Sequence, residues 1–307
     1  MASATRPDVS RTDLAELCRD LLGAELLDVL FESGYSSAVF GVRLVGGDCA
    51  VIKLRPWRDR LVGCAMVQAH LSATGFPCPR PLVPPIVRGT LAVSAEELVP
   101  GGMPLRGGNA SAPLAALLAL LVDRAPSPSE VPGLKPEYGF LRWQDAGDPL
   151  WPPPTDVSVD LNRIDAPWID GLAEQVLKRL AEVNLPAVIG HGDWWSENIR
   201  WDNAVVVSVD DWDSTVALPE PAIVGAAAAL FADGESTLSQ TAEFIESYGR
   251  ASGRLLTSEI REVAWATGLW ARLFDAKKAL AVGFPASAQR LKLEAAERAQ
   301  HAGLRRM

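Results

Sequence analysis

One stretch of the sequence combines side chains that suit metal-assisted proton transfer. Asp193 follows His191 and a glycine, Asn198 lies five residues further on, and Asp211 comes thirteen residues after Asn198. One amide oxygen and one carboxylate make a sparse site of hard oxygen ligands, which Mg²⁺ prefers because it keeps waters and takes further ligands from substrate phosphates. Asp193 is then free to accept or orient the proton of an attacking hydroxyl. The alternative is a loop whose polar residues only cap and turn the backbone.

These side chains need a hairpin to bring them to one place. A short apolar strand at 187–189 leads into the loop that carries Asp193. The runs 198–201 and 204–209 are separated by an Asp-Asn pair, which predicts two antiparallel strands joined by a turn. Folding the hairpin about this turn brings its first residue and the acidic residues 210–213 to the same end, beside Asp193.

The first hundred residues predict a sheet with helices, and the rest of the chain is mainly helical. Apolar runs at 38–45 and 49–54 flank a Gly-Gly-Asp turn, as in a hairpin, and residues 61–73 have helical spacing. From residue 110 onward the apolar positions mostly recur at helical spacing. Residues 125–154 are instead rich in Pro, Gly and Trp, which predicts a long surface excursion that serves as a functional segment or a lid.

The motif His191-Gly192-Asp193-x4-Asn198, followed by Asp211-Trp212-Asp213, resembles the aminoglycoside phosphotransferase and choline kinase superfamily, whose folds are like protein kinases. The resemblance covers nearly the whole chain, from about Leu26 to the C-terminal helices. It implies an α+β, protein-kinase-like fold with a small β-rich N-terminal lobe, residues 1–99, and a larger helical C-terminal lobe, residues 100–307. It also implies that Asp193 is the catalytic base, that Asn198 and Asp211 hold magnesium, and that His191 braces the loop.

A kinase-like lobe also needs a lysine on its third strand to hold the α- and β-phosphates of the nucleotide. Lys53 ends the apolar strand that begins at Cys49, and it is the only lysine before Lys135 in a chain that strongly prefers arginine. We therefore expect Lys53 to bind phosphate, the alternative being a surface lysine that keeps its charged end in water.

Two further segments match nucleotide-binding parts of the superfamily. Gly34, Ser36 and Ser37 lie at the tip of a predicted hairpin, where backbone N–H groups and hydroxyls can bind phosphate oxygens. Glu97 to Val99 precede a Pro-Gly pair and match the hinge whose backbone pairs with adenine. The resemblance thus implies ATP or GTP as the nucleotide, with Mg²⁺.

The sequence departs from the superfamily pattern at two positions. The helix of the first lobe normally carries a glutamate that pairs with the strand lysine, but Cys64 stands there, with Gln68 one turn later. Gln68 is a candidate hydrogen-bond partner of Lys53, and the missing glutamate leaves the orientation of Lys53 open. The residues 210–213, which carry Asp211, are called the metal segment below. After this segment, Val224 replaces an acidic residue that is generally structural in the superfamily, which indicates a divergent subgroup.

Composition excludes several other classes of protein. The 307 residues carry a net charge of −9, which disfavours a nucleic-acid-binding surface. The four cysteines show no CxxC spacing and only three histidines are present, so a zinc site or a disulfide scaffold is not expected. No apolar stretch approaches the roughly eighteen residues that span a membrane. We expect a cytoplasmic protein with a small-molecule partner, without nucleic acid or membrane.

The leading hypothesis is an ATP- and Mg²⁺-dependent kinase that phosphorylates a hydroxyl of an aminoglycoside-like, amino-sugar or amino-alcohol substrate. One alternative is a non-catalytic nucleotide-binding protein on the same fold, motivated by the missing helix glutamate. Another is a metal-dependent phosphoesterase, but dinuclear hydrolase sites draw on several histidines, and only His70 and His301 remain. Candidate substrate contacts, weaker than the assignments above, are Trp194, Trp195, Asp233, Glu235, Trp265 and Trp270.

Tryptophan is over-represented in this chain, with 10 Trp against 8 Phe and 3 Tyr. Four of the ten lie within the catalytic loop and metal hairpin or beside them: Trp194, Trp195, Trp201 and Trp212. Such residues can exclude water from the reaction, stack on a flat or cationic substrate, or pack beneath a loop. For Trp201 and Trp212, and for the helical Trp265 and Trp270, packing is the favoured interpretation.

Overall fold

The N-terminal lobe is a five-stranded antiparallel sheet with a helix on either side. The computed structural model describes residues 6–34, 36–105, 110–143, 149–232 and 234–304. The strands follow the order β1-β2-β3-β5-β4 across the sheet. The elements of this lobe are α1 (Arg11–Leu22), β1 (Leu26–Ser33), β2 (Ala38–Leu44), β3 (Cys49–Pro56), α2 (Arg60–Ala73), β4 (Pro81–Arg88) and β5 (Leu91–Glu97).

Local sequence accounts for most of this lobe. Ser10 caps α1 and forms a reciprocal capping box with Asp13. The predicted β2–β3 hairpin is confirmed, and its turn needs Gly46 and Gly47 because both have positive φ, 114° and 99°. Strand β4 was not predicted, because its prolines look unlike a strand. Proline is nevertheless compatible with a strand at the edge of a sheet, which is where β4 lies.

The C-terminal lobe is mainly helical and contains the larger hydrophobic core. A two-stranded sheet pairs β7 with β10, and a three-stranded sheet has the order β6-β8-β9. The elements are β6 (Met103–Pro104), α3 (Ser111–Arg124), α4 (Pro167–Ala181), β7 (Ala187–His191), β8 (Ile199–Asp202), β9 (Val205–Val209), β10 (Thr215–Pro219), α5 (Glu220–Leu230), α6 (Leu238–Ser252), α7 (Ser258–Ala281) and α8 (Ala286–His301).

Helix α7 is the centre of this core, and α5 lies directly against it. The two helices approach so closely that a Cβ on Gly225 would lie 1.9 Å from the carbonyl oxygen of Ala264. Helix α5 was missed in the sequence because it is apolar on every side, so it has no amphipathic periodicity. Its position matters because it follows directly on the β7–β10 pair that carries the catalytic loop.

The expectation that residues 125–154 form a surface excursion is wrong for several of them. Leu134, Leu141 and Trp151 are buried in the core of the C-terminal lobe. The Trp151 ring stacks on Trp270 with centroids 5.2 Å apart, and its indole N–H donates to Asp170 at 2.8 Å. The segment is therefore anchored at these points, and it does not form a freely moving lid along its length. Residues 144–148 of it lie outside the described residues.

Within the described ranges, no helix combines the length and the apolar character needed to cross a membrane.

Candidate active site

The loop after β7 is held by His191. The His191 Nδ1 atom accepts a hydrogen bond from the backbone N–H of Asp193 at 3.3 Å, and Nε2 lies 3.1 Å from the carbonyl oxygen of Asp210. This arrangement assigns the ring proton to Nε2. His191 thus connects the Asp193 loop to the end of the β8–β9 hairpin, which is a positioning role.

Gly192 allows the loop to pass close to the metal segment. Its N–H donates to the Ser214 carbonyl at 2.7 Å, and a Cβ at this position would lie 3.0 Å from that carbonyl oxygen and 2.8 Å from a methyl carbon of Leu141. A larger residue would therefore push the loop away from the segment that carries Asp211. The glycine of the His-Gly-Asp motif is explained by this close approach.

Asp193 and Asn198 are in direct contact. The Asn198 amide nitrogen donates to the carbonyl oxygen of Asp193 at 3.0 Å and to its carboxylate Oδ2 at 3.1 Å. The backbone carbonyl oxygen of Asn198 in turn accepts a hydrogen bond from the backbone N–H of Asp210 at 2.8 Å. The short turn between Asp193 and β8 thus returns the chain so that the amide orients the carboxylate.

Asp211 adopts a left-handed backbone conformation, with φ 60° and ψ 51°. Its Oδ2 accepts a hydrogen bond from Ser214 Oγ at 3.0 Å, and that hydroxyl lies 2.9 Å from the Tyr138 hydroxyl. Tyr138 comes from the segment that was expected to be a surface excursion. No motif pointed to it, because it lies more than seventy residues from Asp211 in the chain.

Burial raises the pKa of the Asp211 carboxyl above its ordinary value. The positive charge of Lys53 opposes this shift, while the neighbouring carboxylates of Asp213 and Asp193 add to it. Lys53 and Asp193 therefore both lie close enough to Asp211 to act on its carboxyl. The structure brings these three predicted site residues together.

The residues present fit a divalent cation. The amide nitrogen of Asn198 donates to Asp193, so its amide oxygen is the atom left to bind a cation. Asp211 has one carboxylate oxygen beyond the one that Ser214 occupies. Hard oxygen donors beside mutually repelling carboxylates form the type of site that Mg²⁺ or Ca²⁺ occupies.

The adjacent Asp210 has a different role from Asp211. Its carboxylate accepts from Arg200 Nε at 2.8 Å and from the Ser208 hydroxyl at 2.7 Å. Arg200 also donates to the carbonyl of Gly101, in the segment that follows β5. Asp210 therefore positions Arg200, which joins the hairpin to the connection between the lobes.

Lys53 lies on β3 and forms an ion pair with Glu96, a residue that sequence reasoning missed. The Lys53 ammonium lies 2.8 Å from Glu96 Oε1, and Gln68 donates to Glu96 Oε2 at 2.9 Å. The candidate hydrogen bond from Gln68 to Lys53 is not formed, because each of the two side chains binds one oxygen of the Glu96 carboxylate. Burial alone would lower the pKa of Lys53, but Glu96, Asp213 and Asp211 together raise it above its ordinary value.

Two arginines of the N-terminal lobe hold the metal segment. Arg55 Nη2 donates to Asp213 Oδ1 at 2.8 Å, and its Nε lies 2.6 Å from Oδ2. Arg60, at the start of α2, donates to the backbone carbonyls of Asp213 and Thr215. The sequence could have identified Arg55 as part of the site, since residues two apart on a strand share a face and Arg55 follows Lys53 at that spacing. No sequence pattern identifies Arg60.

The predicted phosphate loop connects β1 and β2. Gly34 has φ +100°, and a Cβ there would lie 2.2 Å from the carbonyl oxygen of Ser37, so only glycine suits this turn. Ser36 is exposed and Ser37 is half-buried at the same tip, while Tyr35 lies outside the described residues. The loop geometry is compatible with phosphate binding, which stays a prediction.

The predicted hinge follows β5. The N–H of Glu97 donates to the Arg80 carbonyl at 2.9 Å, and its side chain pairs with Arg80 at 3.4 Å. Across the part of the chain that the structure describes, no acceptor is found for the Val99 N–H. Val99 is thus the predicted hinge residue with a backbone donor left for a ligand.

Three of the tryptophans considered as substrate contacts are core residues, which agrees with the packing favoured for Trp265 and Trp270 and corrects the candidate role of Trp194. Trp194 is 2% exposed and its indole N–H donates to the Leu114 carbonyl. Trp270 is fully buried against Trp151, and Trp265 is buried with its ring stacked on His301. None of them presents a surface to a substrate.

The tryptophan-rich region instead packs around His191. The rings of Trp194 and Trp212 meet the His191 ring edge-on, with centroids 5.8 Å and 5.6 Å away. Trp212 is buried, and its indole N–H donates to the Val209 carbonyl. Trp195 is 38% exposed and is the one member of the Trp194–Trp195 pair that a substrate can reach.

The acidic candidates in the substrate region have different outcomes. Glu235 accepts hydrogen bonds from Ser287 and Arg290 of α8, and these bonds are the main reason that its pKa is lowered. Its carboxylate thus fastens α8 to the loop after α5. Asp233 lies outside the described residues.

Comparisons with known proteins identify a family and a fold. The sequence model of the phosphotransferase enzyme family matches residues 29–263. Significant similarity to curated protein sequences is not found.

Similar solved structures include a choline/ethanolamine kinase family protein from Mesorhizobium loti (16% identity, TM-score 0.61, 90% of this chain and 91% of that chain). An amicoumacin kinase in complex with AMP-PNP, Ca²⁺ and Ami has 13% identity and a TM-score of 0.60, over 90% of this chain and 88% of that one. A spectinomycin phosphotransferase in complex with ADP and spectinomycin has 12% identity and a TM-score of 0.58, over 97% and 94% of the two chains. At these identities the similarity shows a shared kinase-like fold. Since the family's own sequence model spans most of the chain, this protein belongs to the phosphotransferase enzyme family.

Proposed function

We propose that this protein is an ATP- and Mg²⁺-dependent kinase that transfers the γ-phosphate to a hydroxyl of a small molecule. The observation that carries the proposal is the convergence of Asp193, Asn198, Asp211 and Lys53. Asn198 contacts Asp193 directly, and Asp211 lies in the electrostatic field of both Asp193 and Lys53. A base, a pair of oxygen ligands and a phosphate-binding cation are the components that phosphoryl transfer requires.

Asp193 is the residue that receives the proton. Its carboxylate is held by the Asn198 amide, and its backbone is held by His191. The acceptor hydroxyl gives its proton to Asp193 as its oxygen bonds to the γ-phosphorus, and the bond to the β-phosphate oxygen breaks to release ADP. Lys53 holds the α- and β-phosphates in this scheme. Asn198 and Asp211 would hold the Mg²⁺ ion, which would supply positive charge against the phosphates.

For the substrate, we propose an aminoglycoside-like, amino-sugar or amino-alcohol compound. The protein carries an overall negative charge of −9, which favours a cationic substrate, and Trp195 presents an exposed ring beside Asp193. The similar structures include an amicoumacin kinase, a spectinomycin phosphotransferase and a choline/ethanolamine kinase family protein, which is compatible with this class. In the same scheme the nucleotide lies between an N-terminal lobe, residues 1–99, and a C-terminal lobe, residues 100–307.

The test is release of ADP in the presence of ATP or GTP and Mg²⁺, across a panel of aminoglycosides, amino sugars and amino alcohols. We expect turnover with at least one acceptor, loss of turnover with EDTA, and loss of turnover in Asp193→Asn. Binding of ADP by Asp193→Asn, measured by calorimetry, controls for folding. Nucleotide binding without transfer to any acceptor, unchanged by this substitution, would favour the alternative of a non-catalytic nucleotide-binding protein.

A further inference from the structure

We propose that Glu96, on β5, is the positioning residue that orients Lys53 toward the nucleotide phosphates, in the place of a glutamate on α2. This inference rests on the proposed function, because it concerns the phosphate-binding lysine of the same site. It assigns a role to a residue that no motif in the sequence singled out.

Strand register explains why Glu96 reaches Lys53. Lys53 pairs with Ser94 across β3 and β5, and Glu96 lies two residues beyond Ser94, so all three side chains are on one face of the sheet. A diagonal neighbour in an antiparallel pair is within reach of long side chains. The ammonium and carboxylate accordingly meet at 2.8 Å.

The pair is shielded from water, so its charges depend on each other. The Lys53 side chain is 12% exposed and the Glu96 side chain is 10% exposed. Removing one charge from a buried pair leaves the other uncompensated, which is strongly unfavourable. Lys53 therefore has a strong preference for the position in which it touches Glu96.

Within the described residues, α2 hydrogen-bonds to Glu96, and no hydrogen bond or ion pair joins the helix to Lys53 itself. Gln68 donates to Glu96 Oε2, and the same amide nitrogen lies 3.0 Å from the Pro79 carbonyl. Cys64, which stands where the superfamily glutamate is expected, directs its Sγ toward the Asp213 carbonyl at 3.6 Å. The helix thus supplies a neutral amide donor that holds the Glu96 carboxylate in place, and strand β5 supplies the negative charge that pairs with Lys53.

This arrangement removes a dependence on helix position. When a lysine on a strand pairs with a glutamate on a helix, the lysine is oriented only if the helix is in place. Here Lys53 and Glu96 lie on two strands that are hydrogen-bonded to each other. The orientation of Lys53 is therefore set within the sheet of the N-terminal lobe.

Calorimetric binding of ADP and of adenosine, both with MgCl₂, tests the proposal without a known acceptor. Adenosine has the base and ribose but no phosphate, so it reports on the rest of the site. We expect Glu96→Gln to weaken ADP binding by about tenfold or more, the scale of one hydrogen bond to a charged group, and to leave adenosine binding within about twofold. Lys53→Met should have a similar effect. The double variant should be no weaker than Lys53→Met alone, since Glu96 acts through Lys53.

Two further variants make the test specific. Glu96→Asp keeps the negative charge but moves it away from Lys53 by one methylene, so it should weaken ADP binding about threefold. Because the buried charge pair is retained, this variant should fold even if Glu96→Gln does not. Glu25→Gln is the matched control, because Glu25 loses the same charge from an exposed pair with Arg19, and it should bind ADP like the wild type.

Several results would overturn the proposal. Unchanged ADP binding in Glu96→Gln and Glu96→Asp would show that Lys53 needs no partner. Equal loss of ADP and adenosine binding would assign Glu96 a purely structural role. Tighter ADP binding would mean that Glu96 withholds Lys53 from the phosphates. In each case the wild type still binds ADP and the proposed function stands, whereas a wild type that binds neither ADP nor ATP would refute both proposals.

Discussion

The contact between Arg55 and Asp213 joins the N-terminal sheet to the metal segment, and Arg55→Met should remove it. The Arg55 side chain is 9% exposed and donates to Asp213 and, at 2.6 Å, to the Ser94 hydroxyl. Methionine keeps much of the apolar stem but no donor. Asp213 would then lie beside Asp211 without the guanidinium that forms its ion pair.

The size of the effect follows from exposure. Removing one partner of a fully buried ion pair costs about 3–5 kcal/mol, and an exposed pair contributes about 0–1 kcal/mol. Arg55 is buried while the Asp213 side chain is 29% exposed, so the pair falls between these limits. We expect Arg55→Met to lower the free energy of unfolding by about 2 kcal/mol.

Urea unfolding followed by tryptophan fluorescence measures this change. The control is Arg58→Met, because Arg58 is 45% exposed in its pair with Glu137, and its removal should change stability by less than about 0.5 kcal/mol. Because neutralising Asp213 removes the uncompensated charge, Arg55→Met/Asp213→Asn should be more stable than the sum of the two single changes predicts. If Arg55→Met is no more destabilising than Arg58→Met, or if the double variant is strictly additive, the reasoning is refuted.

Three further predictions concern the catalytic loop and the thiols. Asp193→Asn should reduce transfer by a factor of about 10²–10⁴ while ADP affinity measured by calorimetry changes little, and a variant that keeps most of its activity would contradict the role of base. Trp194→Ala should lower the urea-unfolding free energy by about 3–5 kcal/mol, whereas Trp195→Ala should stay within about 0.5 kcal/mol and weaken acceptor binding; equal effects would contradict their different burial. Burial raises the pKa of the Cys64 and Cys78 thiols to about 12, so both should react with iodoacetamide at pH 8.5 only after unfolding. Because unfolded thiols lose their protons first as pH rises above about 9, these two groups should also lower stability in alkali, which thermal unfolding against pH would detect.

The catalytic loop and its hairpin could be predicted because their spacing is local. The turn at residues 202–203 brings Asn198 against Asp210, the residue before Asp211, and both Asn198 and Asp211 lie within twenty positions of Asp193. The geometry of one short hairpin is therefore enough to predict which residues of the motif lie close together. The β2–β3 hairpin of the N-terminal lobe was also predictable, since its turn is clear.

The residues that support the motif could not be predicted, because their contacts are long-range. Glu96 reaches Lys53 only once β3 and β5 are paired in register, and a shift by one residue would place it on the other face. Tyr138 lies in a segment without periodicity, whose burial depends on the finished core of the C-terminal lobe. In both cases the residue type is visible in the sequence but its partner is not.

The backbone of Asp211 shows what this long-range support achieves. Among the described residues that are not glycine, positive φ occurs only at Asn203, in a hairpin turn where asparagine is favoured, and at Asp211. A left-handed aspartate costs about 1 kcal/mol or more, and such a conformation persists only where its surroundings impose it. Here Arg60 of the N-terminal lobe holds the carbonyls on the C-terminal side of Asp211, and Ser214 holds its carboxylate. Because one of these supports comes from the opposite lobe, the conformation of the predicted metal ligand depends on how the two lobes meet, and that is the junction in which the nucleotide is proposed to bind.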